Sequence, residues 1–441
     1  MKGYFDTDTF QSSDWWRSDV GSFSIEKNDF FYGAGSLKVS VSSDNSNDVK
    51  IFTTNDCNFP LKEDEIWNVS MYVKGDIDNE VMISFIDADN KNVDIGNASF
   101  KINYKGWHYV RFLLKSTSLT SNGKFKINFK TKGNYWIDNV VLEKGSFSNW
   151  YVDDEGSDSN NGSLETPFQT IGKAINQENW KPGDIINVRA GEYKNNGYGT
   201  GERNGPIINI TESKNGSINK PIVIRSYPGE TPKLIFDGKG GVLVGERLKP
   251  VKHIEIGGFE IQGPNSKLDF QKAKANRDWY VSNNEQELKH IYHGRGIAVW
   301  GGNYVNIHNN KVYDTPNSGI RVNNSDYCRV SFNEVFNTTF WSFNAESAIV
   351  FAQSKSINDQ NIIKMRIENN LVYNNMNKLP FYNKNFPCTN SSYGYGCKDQ
   401  PYIHDGSGCY ITRNNDDGQG EQESDENPNG QYIGKFYFSN N

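Results

Sequence analysis

No run in this 441-residue chain approaches the roughly 20 consecutive apolar residues that a membrane helix needs, which excludes a helical membrane span. The opening MKGYFDTDTF also lacks the apolar centre of a secretory signal, so the chain reads as either intracellular or beginning at a mature N-terminus. Composition favours the second. Lys/Arg-rich runs are missing too, and with a net charge of −6 this argues against nucleic acid. A local basic cleft could still meet an acidic polysaccharide. Cysteines are few, five in all. Cys388 and Cys397 bracket CTNSSYGYGC, either as a disulfide fitting an oxidising compartment or as two free loop thiols. Cys328 and Cys409 fall at strand positions and read as buried thiols. Amphipathic helical periodicity is not evident. Aromatics make up 13% and the hydrophobic class only 35%, which with abundant Asn, Gly and Ser suits turn-rich β-structure.

What is present is a repeat. GIAVWGGNYVNIHNNKVYD starts at Gly296 and GIRVNNSDYCRVSFNEVFN at Gly319, about 23 residues on. AIVFAQ starts at Ala348 and resumes after a polar insert as KMRIENNLVYN. GCYITR starts at Gly408, and GKFYFSNN closes the sequence. Each unit gives a small-I-x-V strand, a polar turn, then an I-x-x-N-x-V strand. Ile297, Val299, Ile320, Val322, Ile349, Phe351, Cys409 and Ile411 would face inward, and one rung cannot bury them without its neighbours. Asn310, Asn333, Asn370 and Asn441 recur at one place, which predicts a turn ladder of side-chain amides. A flat parallel sheet would need helices between strands, so the expected fold is a right-handed parallel β-helix.

Residues 1–147 read as a separate β-sandwich, with alternating strands such as GSLKVSVSS, IWNVSMYVKG and YWIDNVVLEKG between turns. FYGAGSLKVSV and NYWIDNVVLEKG resemble the jelly-roll carbohydrate-binding modules of glycan-degrading enzymes. That resemblance implies sugar stacking on exposed aromatics, with Trp15 and Trp16 as candidates in a polar stretch. Trp67 and Trp136 read as core, and a purely structural jelly roll is the plainer alternative.

Residues 148–441 form the second domain. Its opening, with TPFQTIGKAI and KPGDIINVRAGEY, resembles secreted parallel β-helix proteins, notably the family nine pectate lyases. The resemblance implies a capping helix near 168–176, with Thr170 as N-cap and Ile171, Ala174 and Ile175 on one face. It further implies a lysine base and an aspartate–calcium cluster. Lys311 and Lys364 lie away from the expected groove, and no Asp pair recurs on adjacent rungs. The sequence stops in mid-rung and reads as truncated at its C-terminus.

Inserts at about 263–294, 337–346 and 375–405 each leave after an I-x-x-x-x-V strand and return before a small-I-x-V strand. They should therefore rise on one side and wall a groove. Their aromatics include Trp341, Tyr382 and Tyr402, expected partly as packing and partly as sugar platforms. Residues bordering the small-I-x-V strands face that groove: His293, Arg295, Trp300, Asn317, Arg321, Asn323, Glu346, His404 and Asp405. Outward Arg321 suits planar recognition of a carboxylate or sulfate. Glu346 and Asp405 stand at similar corners of successive rungs about 4.8 Å apart, where one carboxyl pKa should rise. The acidic stretch 414–429, with Asp416 and Asp417, is a candidate Ca²⁺ loop or a solvated one.

The expectation is a secreted, monomeric enzyme cleaving an acidic polysaccharide internally. In the β-elimination version His404 is the base and Arg321 neutralises the carboxylate. In the hydrolytic version Glu346 and Asp405 serve as acid and as nucleophile or base. A non-catalytic, tailspike-like adhesin would use the same groove without chemistry.

Overall fold

The computed structural model describes residues 16–20, 22–31, 35–42, 49–53, 59–90, 93–145, 147–199, 204–246, 249–283, 290–343, 346–379, 408–412 and 432–441. The chain divides into two compact units, Met1–Ser148 and Asn149–Asn441.

The first unit is an antiparallel β-sandwich, a six-stranded sheet facing a five-stranded one, as the alternating segments predict. Inward residues of both sheets, among them Leu37, Val69, Met71, Phe85, Phe125 and Ile137, fill the space between them. Trp67 joins this core, as expected. Trp136 does not: it lies half-buried on a strand flanked by Lys38 and Lys74, whose ammoniums sit 5.2 and 4.7 Å from its ring centre.

The second unit is the parallel β-helix. Its strands build three parallel sheets, of eight, six and six strands, visited in turn by each coil. The first sheet runs from Asn149–Val152 to Lys435–Ser439, and the second from Glu192–Lys194 to Leu371–Tyr373. The third comprises Ile208–Ile210, Gly240–Val244, Arg295–Trp300, Ile320–Asn323, Ile349–Ala352 and Cys409–Thr412. Its register stacks Val242, Ile297, Ile320, Ile349 and Cys409 in one inward column. Burying each aliphatic contributes on the order of 2 kcal/mol, realised only when the next rung covers it.

Two features of the repeat have direct physical causes. The glycines Gly296 and Gly319, at the start of two third-sheet strands, sit where the second-sheet strand that follows in the chain closes in. A Cβ on Gly296 would lie 2.2 Å from Val312 Cγ1, and one on Gly319 would lie 2.3 Å from Val335 Cγ1. The recurrent asparagines form the expected ladder between the first and second sheets. Asn310 Nδ2 donates to Asn333 Oδ1, Asn333 Nδ2 to Asn370 Oδ1, and Asn370 Nδ2 to Asn441 Oδ1, at 3.0, 3.0 and 2.7 Å. The residue before each, Asn309, Phe332, Asn369 or Asn440, turns the corner with φ of 53–56°.

At the N-terminal end, the helix Ile171–Ile175 buries Ile171, Ala174 and Ile175, and the Thr170 hydroxyl accepts from the Lys173 amide as N-cap. The three long inserts all connect a second-sheet strand to a third-sheet strand. The first contains a helix that periodicity did not reveal, Phe270–Asn283. Its buried positions Ala273, Asn276 and Arg277 do recur at helical spacing, but only one is apolar. Ala273 packs with Tyr292, Trp341, Phe343 and Leu379 in a satellite core shared among the inserts. No helix among the described residues is long and apolar enough to cross a membrane.

Candidate functional site

The third sheet carries two arginines, Arg295 and Arg321, on consecutive rungs. Arg321 alternates with inward Ile320 and Val322, which are fully buried, so its side chain leaves the solenoid. Register places it between Ala298 on the preceding rung and Val350 on the next. Asn323, two residues on, shares that face and pairs with Trp300. Arg295 opens the preceding strand opposite Gly240.

These side chains converge on Glu346, which returns from the second insert and is only 4% exposed in its side chain. Glu346 Oε1 accepts from Arg295 Nη2 at 3.0 Å. Oε2 accepts from Ser318 Oγ at 2.7 Å and forms a close ion pair with Arg321 Nη1. The guanidinium carbons of Arg295 and Arg321 lie 5.8 and 5.7 Å from the Trp300 ring centre. Arg321 Nε donates to Asn323 Oδ1 at 2.8 Å, and Asn323 Nδ2 donates to Gln353 Oε1 at 2.9 Å. Beside this cluster is a cavity of about 330 Å³, lined by His293, Arg295, Trp300, Asn317, Lys239 and Leu243, among others.

Burial by itself would raise the Glu346 carboxyl, but the charges of Arg321 and Arg295 and the Ser318 hydroxyl outweigh it and hold the group at about 2. Of the pair Glu346 and Asp405, one of which is expected to have a raised carboxyl pKa, Asp405 lies outside the described residues, and Glu346 is held down rather than up and stays ionised near neutral pH. Burial, then the neighbouring Arg321 charge, draws Arg295 down, opposed by Glu346. Arg321 faces outward as expected, and it shares one carboxylate with Arg295.

The expected residues fall into three groups. Arg295, Trp300, Arg321, Asn323 and Glu346 come together in one cluster, and His293 lines the adjoining cavity with its ring edge-on to Phe343 at 4.9 Å. Trp341 is corrected: at 5% exposure it belongs to the satellite core and presents no sugar platform. His404, Asp405, Tyr382, Tyr402, Asp416, Asp417, Trp15 and the Cys388–Cys397 loop lie outside the described residues, as does the Trp16 side chain, although its backbone forms a strand. Cys328 is a buried free thiol and Cys409 a half-buried one. Sequence reasoning missed Ser318, Lys239 and Gln353. Register pointed to Ser318, which stands before Gly319 as Arg295 stands before Gly296.

The resemblance to family nine lyases implied calcium, and calcium takes six to eight oxygen ligands including carboxylates. Both oxygens of Glu346 are already engaged by cations and a hydroxyl. Among the described residues no group of three or more His, Cys, Asp or Glu is placed to hold a metal ion. The residues of this cluster do not fit a calcium site.

The curated pectate lyase PEL9 of Emericella nidulans is 34% identical over 104 residues, covering 24% of this chain and 22% of that protein. The chain thus spans about a fifth of the length of the curated relative it matches. Among solved structures, one described as CBM4 structure and function shares 12% identity over 31% of this chain and 100% of that chain, with a TM-score of 0.26. The CBM22-1 xylan-binding domain from Paenibacillus barcinonensis Xyn10C shares 13% identity over 34% of this chain and 95% of that chain, with a TM-score of 0.23. Scores this low leave the sandwich to be argued from its own strand pairing. Residues 150–425 match the family described as Pel9A-like, right handed beta helix region, and with well over half its length so matched the chain belongs to that family.

Proposed function

We propose that this protein is a secreted enzyme that cleaves an acidic polysaccharide, uronate-bearing or sulfated, within its chain by β-elimination. The observation that carries the reading is the pair Arg295 and Arg321, fixed on consecutive rungs of the third sheet beside a cavity with an indole at its edge. With one carboxylate between two guanidiniums, the cluster keeps a net charge of +1 (two minus one). Planar guanidiniums match a substrate carboxylate, and neutralising it acidifies the α C–H.

In the reaction a base removes the proton α to the carboxylate. The electron pair forms the new C4–C5 double bond, and the glycosidic oxygen departs with its bonding pair and takes up a proton from water. His404 is the proposed base. Tyr382 and Tyr402 are proposed as part of the wall that positions the chain, and the N-terminal sandwich as a sugar-binding module. Hydrolysis with Glu346 as the acid is disfavoured, because a carboxyl held at about 2 stays ionised.

The test incubates the purified protein with polygalacturonate, alginate, glucuronans and sulfated glycans. Absorbance rising near 235 nm, with a matching loss of chain length, supports the reading. New reducing ends without that absorbance would replace elimination with hydrolysis. Binding without either product would make the protein an adhesin.

A further inference from the structure

We infer that the Arg295–Glu346–Arg321 cluster supplies, without calcium, the positive charge that a uronate carboxylate meets in this groove. This rests on the elimination reading above and concerns how the same site is charged.

A dication needs anionic oxygen, and here the one buried carboxylate of the cluster is saturated by Arg295, Arg321 and Ser318. The cluster carries net positive charge, and Lys239 on the same cavity adds to it. A calcium ion would be repelled where a carboxylate would be attracted.

Spare hydrogen-bonding capacity points the same way. Arg295 spends one N–H on Glu346, and its Nε is buried without an acceptor. Asn317, wholly buried and lining the same cavity, has an Nδ2 without an acceptor. Buried donors normally find partners, so these are places where an acceptor-rich ligand or water completes the network. The guanidiniums are also held in place before any ligand arrives. Glu346 grips both, the Trp300 ring lies at nearly equal distance from both, and the Asn323–Gln353 pair orients Arg321. Such preorganisation is what a charge-neutralising site requires, since reorienting it during reaction would raise the barrier. Glu346 is accordingly a positioning residue that acts through the two arginines.

The experiment measures oligouronate cleavage at 235 nm and oligouronate binding by calorimetry, with the full chain, in excess EGTA and in millimolar Ca²⁺. Rates and Kd within about twofold between the two conditions are expected. Arg321→Ala should raise KM and Kd at least tenfold with no rescue by Ca²⁺, and Arg321→Lys should recover part of that loss. Glu346→Gln should lower kcat about tenfold while KM stays level or falls, because the arginines lose their tether but the site gains positive charge. A lower melting temperature is expected in either case, so the discriminating readout is the split: a merely structural role would instead worsen kcat and KM together. Activity abolished by EGTA and restored by Ca²⁺ would overturn the inference while leaving elimination intact. No cleavage and no binding in either condition would bring down the elimination reading and this inference together.

Discussion

Replacing Asn333 with alanine tests whether the asparagine ladder, rather than apolar stacking alone, holds the coils in register. Asn333 is 1% exposed. Its Nδ2 donates to Asn370 Oδ1 at 3.0 Å and to the carbonyls of Ile307 and Ser331, both at 3.1 Å. Its Oδ1 accepts from the backbone N–H and the Nδ2 of Asn310, both at 3.0 Å. Alanine removes all of these. The Asn310 amide N–H is then a buried donor without a partner, whereas Asn310 Nδ2 keeps the Ile256 carbonyl at 3.3 Å. A stranded buried donor costs roughly 1–3 kcal/mol and the four further lost bonds about 1 kcal/mol each, so the substitution should cost about 5 kcal/mol. Tyr373→Phe is the control, because its 2.6 Å bond to Glu334 is exposed and should be worth less than about 1 kcal/mol. The two units need not unfold together, so a single global transition is a poor measure. Hydrogen exchange under graded urea, read on peptides covering residues 300–340, isolates the affected coils. A loss below about 1 kcal/mol for Asn333→Ala would show that side-chain amides contribute little to coil stacking here.

Two further outcomes follow from particular groups. Phe332 holds a φ of 55° where its counterparts on other rungs are Asn309, Asn369 and Asn440, so Phe332→Asn should relieve strain of about 1 kcal/mol. A small rise in the melting temperature of the second unit is expected, and a fall would mean that the contacts of the half-buried ring outweigh the strain. Glu346 has a folded-state pKa depressed from the reference 4.5 to about 2, so the stability it contributes is present above pH 4.5 and lost as pH falls through about 2. That contribution is on the order of 3 kcal/mol. The stability gap between wild type and Glu346→Gln should therefore close progressively from pH 5 to pH 2 in chemical unfolding, and a constant gap would contradict the assigned ionisation.

The sequence by itself determined the architecture. Small-I-x-V strands and recurrent asparagines are local patterns with a fixed period, and stacking is the only arrangement that buries Ile297, Ile320 and Ile349 together. Counting along the repeat also showed that the inserts share one corner, because each leaves and returns between the same two strand types. It could not reveal the helix Phe270–Asn283, whose buried face is formed by Asn276 and Arg277 as much as by Ala273. Nor did it show that Trp341 is committed to the core of the inserts, since an aromatic in a polar loop looks the same in sequence whether it packs or binds. Only the tertiary structure decided the ionisation of Glu346. A carboxylate near a groove is ambiguous until its neighbours are known, and those neighbours, Arg295, Ser318 and Arg321, lie 51, 28 and 25 residues away and meet it only when the coils stack. Burial would have made it an acid, and two guanidiniums make it an anchor.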